Sequence, residues 1–205
     1  MSTLSDLISN ELKYIPIDIV DNIILHYLDC LAHFDDSEFE IKCTDKVRRR
    51  WINSQMEIKK EYNDDNSLSA IYYFVNGKLH REDDQPAVEY ADGLKYWYQN
   101  GSIHRDGDKP AILCANGTKE WYQNGIFHRD NDQPAFECVD GSRAWYQNGM
   151  LHRDGDKPAV MHEDGFKEWY QHGKRHRDGD KPAIEYPDGI GALFQHGIFI
   201  GTYHT

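Results

Sequence analysis

The sequence is short of cysteine, of long apolar runs and of positive charge, and each shortage removes a class of function. Its four cysteines (Cys30, Cys43, Cys114, Cys138) stand far apart with no CxxC pair, which argues against a zinc site and a disulfide framework. A reducing, intracellular setting is the expectation. No stretch approaches the roughly 20 apolar residues that a bilayer span needs, and "MSTLSDLISNELK" lacks the basic-then-apolar pattern of a signal peptide. The sequence therefore predicts a cytoplasmic protein without membrane insertion. Lys and Arg number 23 against 35 Asp and Glu, a formal charge of −12. Nucleic acid and anionic lipid select for basic surfaces, so neither is an expected partner. The one dense basic run, "KVRRRW" at 46–51, has acidic neighbours.

What the sequence does contain is one phrase, repeated. "WYQNGSIHRDGDKPA" at 97–111 returns from Trp121, Trp145 and Trp169; a weaker copy opens at Tyr73 and a truncated one at Leu193. Gly77, Gly101, Gly125, Gly149, Gly173 and Gly197 set a period of 24 residues, kept by the His-Arg pairs from His80 to His176 and the Pro-Ala pairs from Pro86 to Pro182. A fixed period of about 20–50 residues marks a solenoid or array.

Repetition also disposes of the tempting motifs. HRD holds the catalytic aspartate of protein kinases, yet the glycine-rich loop, the lysine strand and DFG are all missing. A catalytic acid or base is needed once, in one pocket, whereas this tripeptide recurs along the chain. Calcium wants roughly six to eight oxygens, and "RDGDK" offers two carboxylates beside a lysine. No catalytic residue, metal or cofactor is expected.

Two segments follow from the periodicities. Over 1–66 the reading is helical: Ile19, Ile23 and Tyr27 lie beside Val20, Ile24, Leu28 and Leu31 on one broad helix face, a second helix spans 43–60, and "NDDNS" at 63–67 marks the boundary. Over 67–205 about five and a half repeats each carry two turn signals, Asn-Gly or His-Gly and then Asp-Gly or Asn-Gly, between short aromatic and β-branched runs. The expected fold is α+β: a short helical module, then an elongated single-layer antiparallel β-hairpin array. A two-residue Asn-Gly turn sets Gln99 against Ser102, Tyr98 against Ile103 and Trp97 against His104, so a Trp–His contact is expected in each repeat. Cys114 and Cys138 share a repeat position, at a spacing of about 10 Å that a disulfide cannot bridge.

"YQNGxxHRDG" with its distal "DG" resembles MORN-like repeats, in particular variants in large DNA virus proteins and some bacterial proteins. The resemblance covers about two thirds of the chain. Arg follows His where the family usually has Gly, the period is slightly long, and Pro-Ala is added. It implies a β array with no activity of its own. "YIPIDIVDNIILHYLDCL" resembles the opening of an F-box, which docks on a Skp1-type adaptor. That would make Ile19, Ile23, Ile24, Tyr27 and Leu28 a partner-binding face, and the chain a substrate adaptor. A helical cap over the first edge of the sheet is the alternative.

Specificity in an array should lie in what varies between repeats. The residues after each turn glycine vary, and Ile126, Phe127, Met150 and Leu151 form an apolar stripe that reads either as a protein-binding surface or as a core face. The expected function is a non-enzymatic protein–protein interaction scaffold. The alternative is a structural or assembly component, such as part of a virus particle, in which the rod is a spacer. In the viral case the setting is host cytoplasm or virion.

Overall fold

The computed structural model describes residues 56–204, and they are all β. The expected helices of 1–55, with Ile19, Ile23, Ile24, Tyr27 and Leu28, lie outside the described residues. One helical expectation is replaced: Met56–Tyr62 is a strand, paired antiparallel with Leu68–Val75. The polar signals at 63–67 are those of a hairpin turn. Ser67 donates its backbone N–H and its hydroxyl to Asp65, and Asn63 N–H reaches the Ser67 carbonyl. A linker and a turn select the same residue types, so composition alone does not separate them.

Each repeat is two hairpins at right places in two columns. In the third, Ile112–Leu113 pairs with Lys119–Glu120 to form the first hairpin, and Tyr122–Gln123 pairs with Ile126–Phe127 to form the second. The first hairpins join edge to edge. Thirteen strands succeed one another in chain order from Met56–Tyr62 to Ile198–Tyr203 without a crossover, and the short strand Lys78–Leu79 pairs to one side as the fourteenth. The second hairpins link through their turns: Gly101, Gly125, Gly149, Gly173 and Gly197 each donate a backbone N–H to a carbonyl of the preceding repeat, as Gly125 does to Ile103 at 2.8 Å.

The two turn signals build different turns. At Asn124-Gly125 both residues have positive φ (51° and 81°), as a two-residue hairpin of type I′ demands. The histidines of the last two turns, His172 and His196, adopt the same left-handed conformation. The distal Asn116-Gly117 belongs instead to a three-residue loop, closed by Cys114 N–H to the Thr118 carbonyl and Gly117 N–H to the Cys114 carbonyl. Its Asn116 side chain accepts from Thr118 N–H at 2.9 Å, as the Asp at the same place does in the other repeats.

The core is one thin layer. Ala87, Ala111, Ala135, Ala159 and Ala183 are fully buried, and Trp97, Trp121, Trp145 and Trp169 nearly so, while no large side chain of the described residues is wholly enclosed. A small side chain is required there because the position is completely enclosed, while its backbone is used in pairing, as Ala135 accepts from Trp121 N–H and Ala111 donates to the Glu120 carbonyl, each at 2.8 Å. Proline precedes it because no N–H is needed there. We expect Ala135→Leu to lower unfolding free energy by about 1–3 kcal/mol through overpacking. Val139→Ser, at a side chain 67% exposed, should fall within about 0.5 kcal/mol. Urea denaturation of both variants checks the contrast.

Candidate binding face

The residues of "HRDGD" divide between two repeats. Each arginine lies flat on the indole of its own repeat: the guanidinium carbon of Arg105, Arg129, Arg153 and Arg177 is 3.6–3.8 Å from the Trp97, Trp121, Trp145 and Trp169 rings. The first copy keeps this with Arg81 on Tyr73 at 3.7 Å. The same arginine donates to the proline carbonyl of its own loop, Arg129 to Pro134 at 3.0 Å. Its remaining N–H groups grip the second aspartate of the repeat before, Arg129 holding both oxygens of Asp108 at 2.6 and 2.9 Å. Asp84, Asp132 and Asp156 each take a lysine as well: Lys109, Lys157 and Lys181 at 2.6–2.7 Å.

Histidine also joins repeats, beyond the expected Trp–His cross-strand contact. His104 N–H does bond the Trp97 carbonyl at 3.0 Å, so the register is as expected. Its ring, however, points to the next repeat, where Nδ1 accepts the backbone N–H of Asn124 at 3.1 Å. Nε2 meets Asp106 of its own repeat at 3.1 Å. The same bridge recurs from His80 to His176. Arginine takes the indole face, where its planar cation gains from the ring quadrupole.

The two aspartates of the loop thus have separate employment. Asp106 serves Gln99 and His104, while Asp108 serves Arg129. Among the described residues no group of three or more His, Cys, Asp or Glu side chains is arranged to hold a metal. Cys114 and Cys138 are free thiols, half-buried.

Loop sequence has one further effect. Asp84 and Asp132, in the copies "REDDQ" and "RDNDQ", adopt positive φ (57° and 54°), and their carbonyls accept Trp97 Nε1 and Trp145 Nε1 at 3.0 Å. Asp108 and Asp156 follow glycine and are not left-handed; the indole N–H groups of Trp121 and Trp169 find no protein acceptor.

With Trp, Ala, Pro and Arg closing one face of each second hairpin, strand parity puts the tyrosine after each Trp on the other. There Tyr98, Tyr122, Tyr146 and Tyr170 stand half-buried in a row, interleaved with Ile103, Phe127, Leu151 and Arg175 at the paired positions. Phe127 lies between Tyr122 and Tyr146, with ring centroids 4.6 and 4.4 Å away. Burial beside the sheet pushes the tyrosine hydroxyls up; Tyr122, with Glu120 beside it, reaches about 12.

The variable stripe therefore splits. Phe127 and Leu151 belong to the aromatic face. Ile126 and Met150 lie on the opposite side, exposed, each against the turn glycine of the next repeat, Gly149 and Gly173. The Tyr row and Glu120 are absent from the sequence-derived set, although the alternation of Trp and Tyr in "WYQ" carries the signal.

Two predictions follow from this geometry. Hydrogen bonds from Arg105 and Arg177, joined by Lys109 and Lys181, hold the Asp84 and Asp156 carboxyls at about 2, below the ordinary carboxylate value. Their contribution is fully present above pH of about 4 and is lost as pH falls toward about 2. Melting temperature should fall across that window, and the fall should be shallower in D84N/D156N. Separately, Gly155→Asn, at φ +73° with no atom within 4 Å of an added Cβ, recreates the "RDND" loop. It should leave stability equal or higher by thermal melt, whereas Gly155→Val should lower it.

Comparison with known protein families, with characterised proteins and with solved structures finds no match to this chain.

Proposed function

We propose that the chain is a non-enzymatic protein-interaction scaffold, and that it binds its partner through the aromatic face of the hairpin array. One observation carries this reading. The array closes one face with its own Trp, Ala and Arg side chains and leaves the other as an open row of half-buried tyrosines and aliphatic residues. Tyr offers a large rigid contact area with a polar tip, which suits it to interfaces. The hairpin array is also compatible with the MORN-like resemblance of its repeats, which implies binding without catalysis. The HRD residues support the same reading, since their polar groups are used in joining repeats. In the finer form of the proposal, the segment around Ile19, Ile23, Ile24, Tyr27 and Leu28 recruits a Skp1-type protein, and the array presents the substrate.

The assembly reading draws on a different feature. Strand Ile198–Tyr203 has no charged residue and exposes Ile198, Phe199 and Ile200. Edge strands of that kind pair with other chains, here further copies of the same array.

Capture of partners by the full chain tests the scaffold reading. Tyr98→Ser/Tyr146→Ser should abolish reproducible co-purification of protein partners while the array remains folded by circular dichroism. Undiminished capture by that variant would contradict it. Ile23→Asp/Ile24→Asp should remove a Skp1-type protein alone, and its retention would remove the adaptor form of the proposal.

A further inference from the structure

The aromatic face carries two glutamates, Glu120 and Glu168, 48 residues apart and hence at one position of the repeat. Their cross-strand neighbours are apolar in both cases: Ile112 and Phe136 beside Glu120, Val160 and Ile184 beside Glu168. Each accepts a hydrogen bond from the tyrosine two residues on, Tyr122 at 3.1 Å and Tyr170 at 3.3 Å. A carboxylate among apolar side chains is costly unless it is paired.

Glu168 is paired. Arg175, opposite Tyr170 in the second hairpin, donates from Nε to Glu168 Oε1 at 2.9 Å, brings its terminal nitrogen within 2.8 Å of the same oxygen as an ion pair, and holds its guanidinium 5.7 Å from both the Tyr170 and Phe194 rings. Glu168 is buried as a result. At the earlier site the residue in the place of Arg175 is Phe127. Among the described residues no Lys or Arg lies within ion-pair distance of Glu120, and its one hydrogen bond is the one from Tyr122 to Oε2. Its field is nevertheless felt through the face, adding to burial in pushing up Tyr96, Tyr122 and Tyr146 and the Cys114 thiol.

The chain thus contains the same site twice, once with a cation on its glutamate and once with the Phe127 ring in the cation's place. We infer that Glu120, framed by Tyr122, Phe127 and Tyr146, receives an arginine side chain of the bound partner, as Glu168 receives Arg175. Arginine fits both halves of the site: its planar fork matches a carboxylate, and its faces stack on aromatic rings. Partner and site are complementary in charge, because the chain carries −12 overall and this carboxylate has no cation of its own. The inference rests on the aromatic face being the binding face, and it names the group recognised there.

The probe is N-acetylarginine methylamide, titrated into the full chain with the tyrosine ring resonances followed by NMR. Its neutral isostere N-acetylcitrulline methylamide is the control. The arginine probe should shift Tyr122 and Tyr146 saturably and the control should not. Glu120→Gln should weaken binding at least about tenfold, the scale of a lost charge-assisted bond. Phe127→Arg, which supplies the missing internal cation, should abolish it with the fold retained. Arg175→Ala should open a second site, read at Tyr170. The inference is overturned if the wild-type chain shows no saturable shift, or if Glu120→Gln and Phe127→Arg bind as the wild type does. Either outcome leaves the capture experiment with Tyr98→Ser/Tyr146→Ser free to succeed, so the two readings fail separately.

Discussion

Each repeat depends on one arginine that does three things at once. It covers the indole of its own repeat, ties down the proline carbonyl of its own loop, and grips the aspartate of the repeat before. A single layer of hairpins has little interior: among the described residues only alanines are completely enclosed. The missing second layer is supplied by the arginines themselves, lying on the tryptophans like tiles. This explains why Arg, and not Lys, follows the histidine of each repeat from His80 to His176. A lysine could neutralise the aspartate but offers no plane to cover the ring and no fork to hold two oxygens. Histidine adds the second inter-repeat link, reaching the backbone of the following turn through Nδ1. The joints are nearest-neighbour throughout, so stability should be spread as a sum of repeat and interface contributions.

That arrangement frees the opposite face. Because Trp points inward and the next residue must point outward, every "WYQ" delivers a tyrosine to the open side. The repeats are alike where they join and unlike where they face outward. Tyr96, Glu120, Ala144, Glu168 and Ala192 succeed one another at one position of the open face, as do Ile103, Phe127, Leu151, Arg175 and Phe199 at another. A regular scaffold with an irregular face is the physical form of a binding array, and Glu120 without its arginine is the sharpest irregularity on it.

Much of the array was legible in the sequence because its determinants are local. Two left-handed positions in Asn-Gly force a two-residue turn, and that turn fixes Tyr98 opposite Ile103 and Gln99 opposite Ser102. That the Arg and Asp after each His pair locally or with the next repeat was legible, but which residues they and the His ring reach was not, since those contacts run to residues 20 or 21 positions away. Strand pairing alone places Trp beside His, and only the stack of repeats shows that the ring between them goes elsewhere. The strand Met56–Tyr62 reads as part of a helix because the alternation of Met56, Ile58 and Tyr62 is too short and too interrupted by charge to stand out, and it becomes a strand through its partner Leu68–Val75. The stripe Ile126, Phe127, Met150 and Leu151 divides between the two faces because neighbouring residues of a strand point to opposite sides.

The central claim is that the HRD arginine holds neighbouring repeats together. Native-state hydrogen exchange on Arg129→Lys tests it most directly, since the charge is kept while the plane and the fork are lost. The account predicts faster exchange concentrated at the joint between the second and third repeats, at Asn124 and Gly125 N–H, with the outer repeats little changed. Protection at those amides equal to that of the wild-type chain would contradict it.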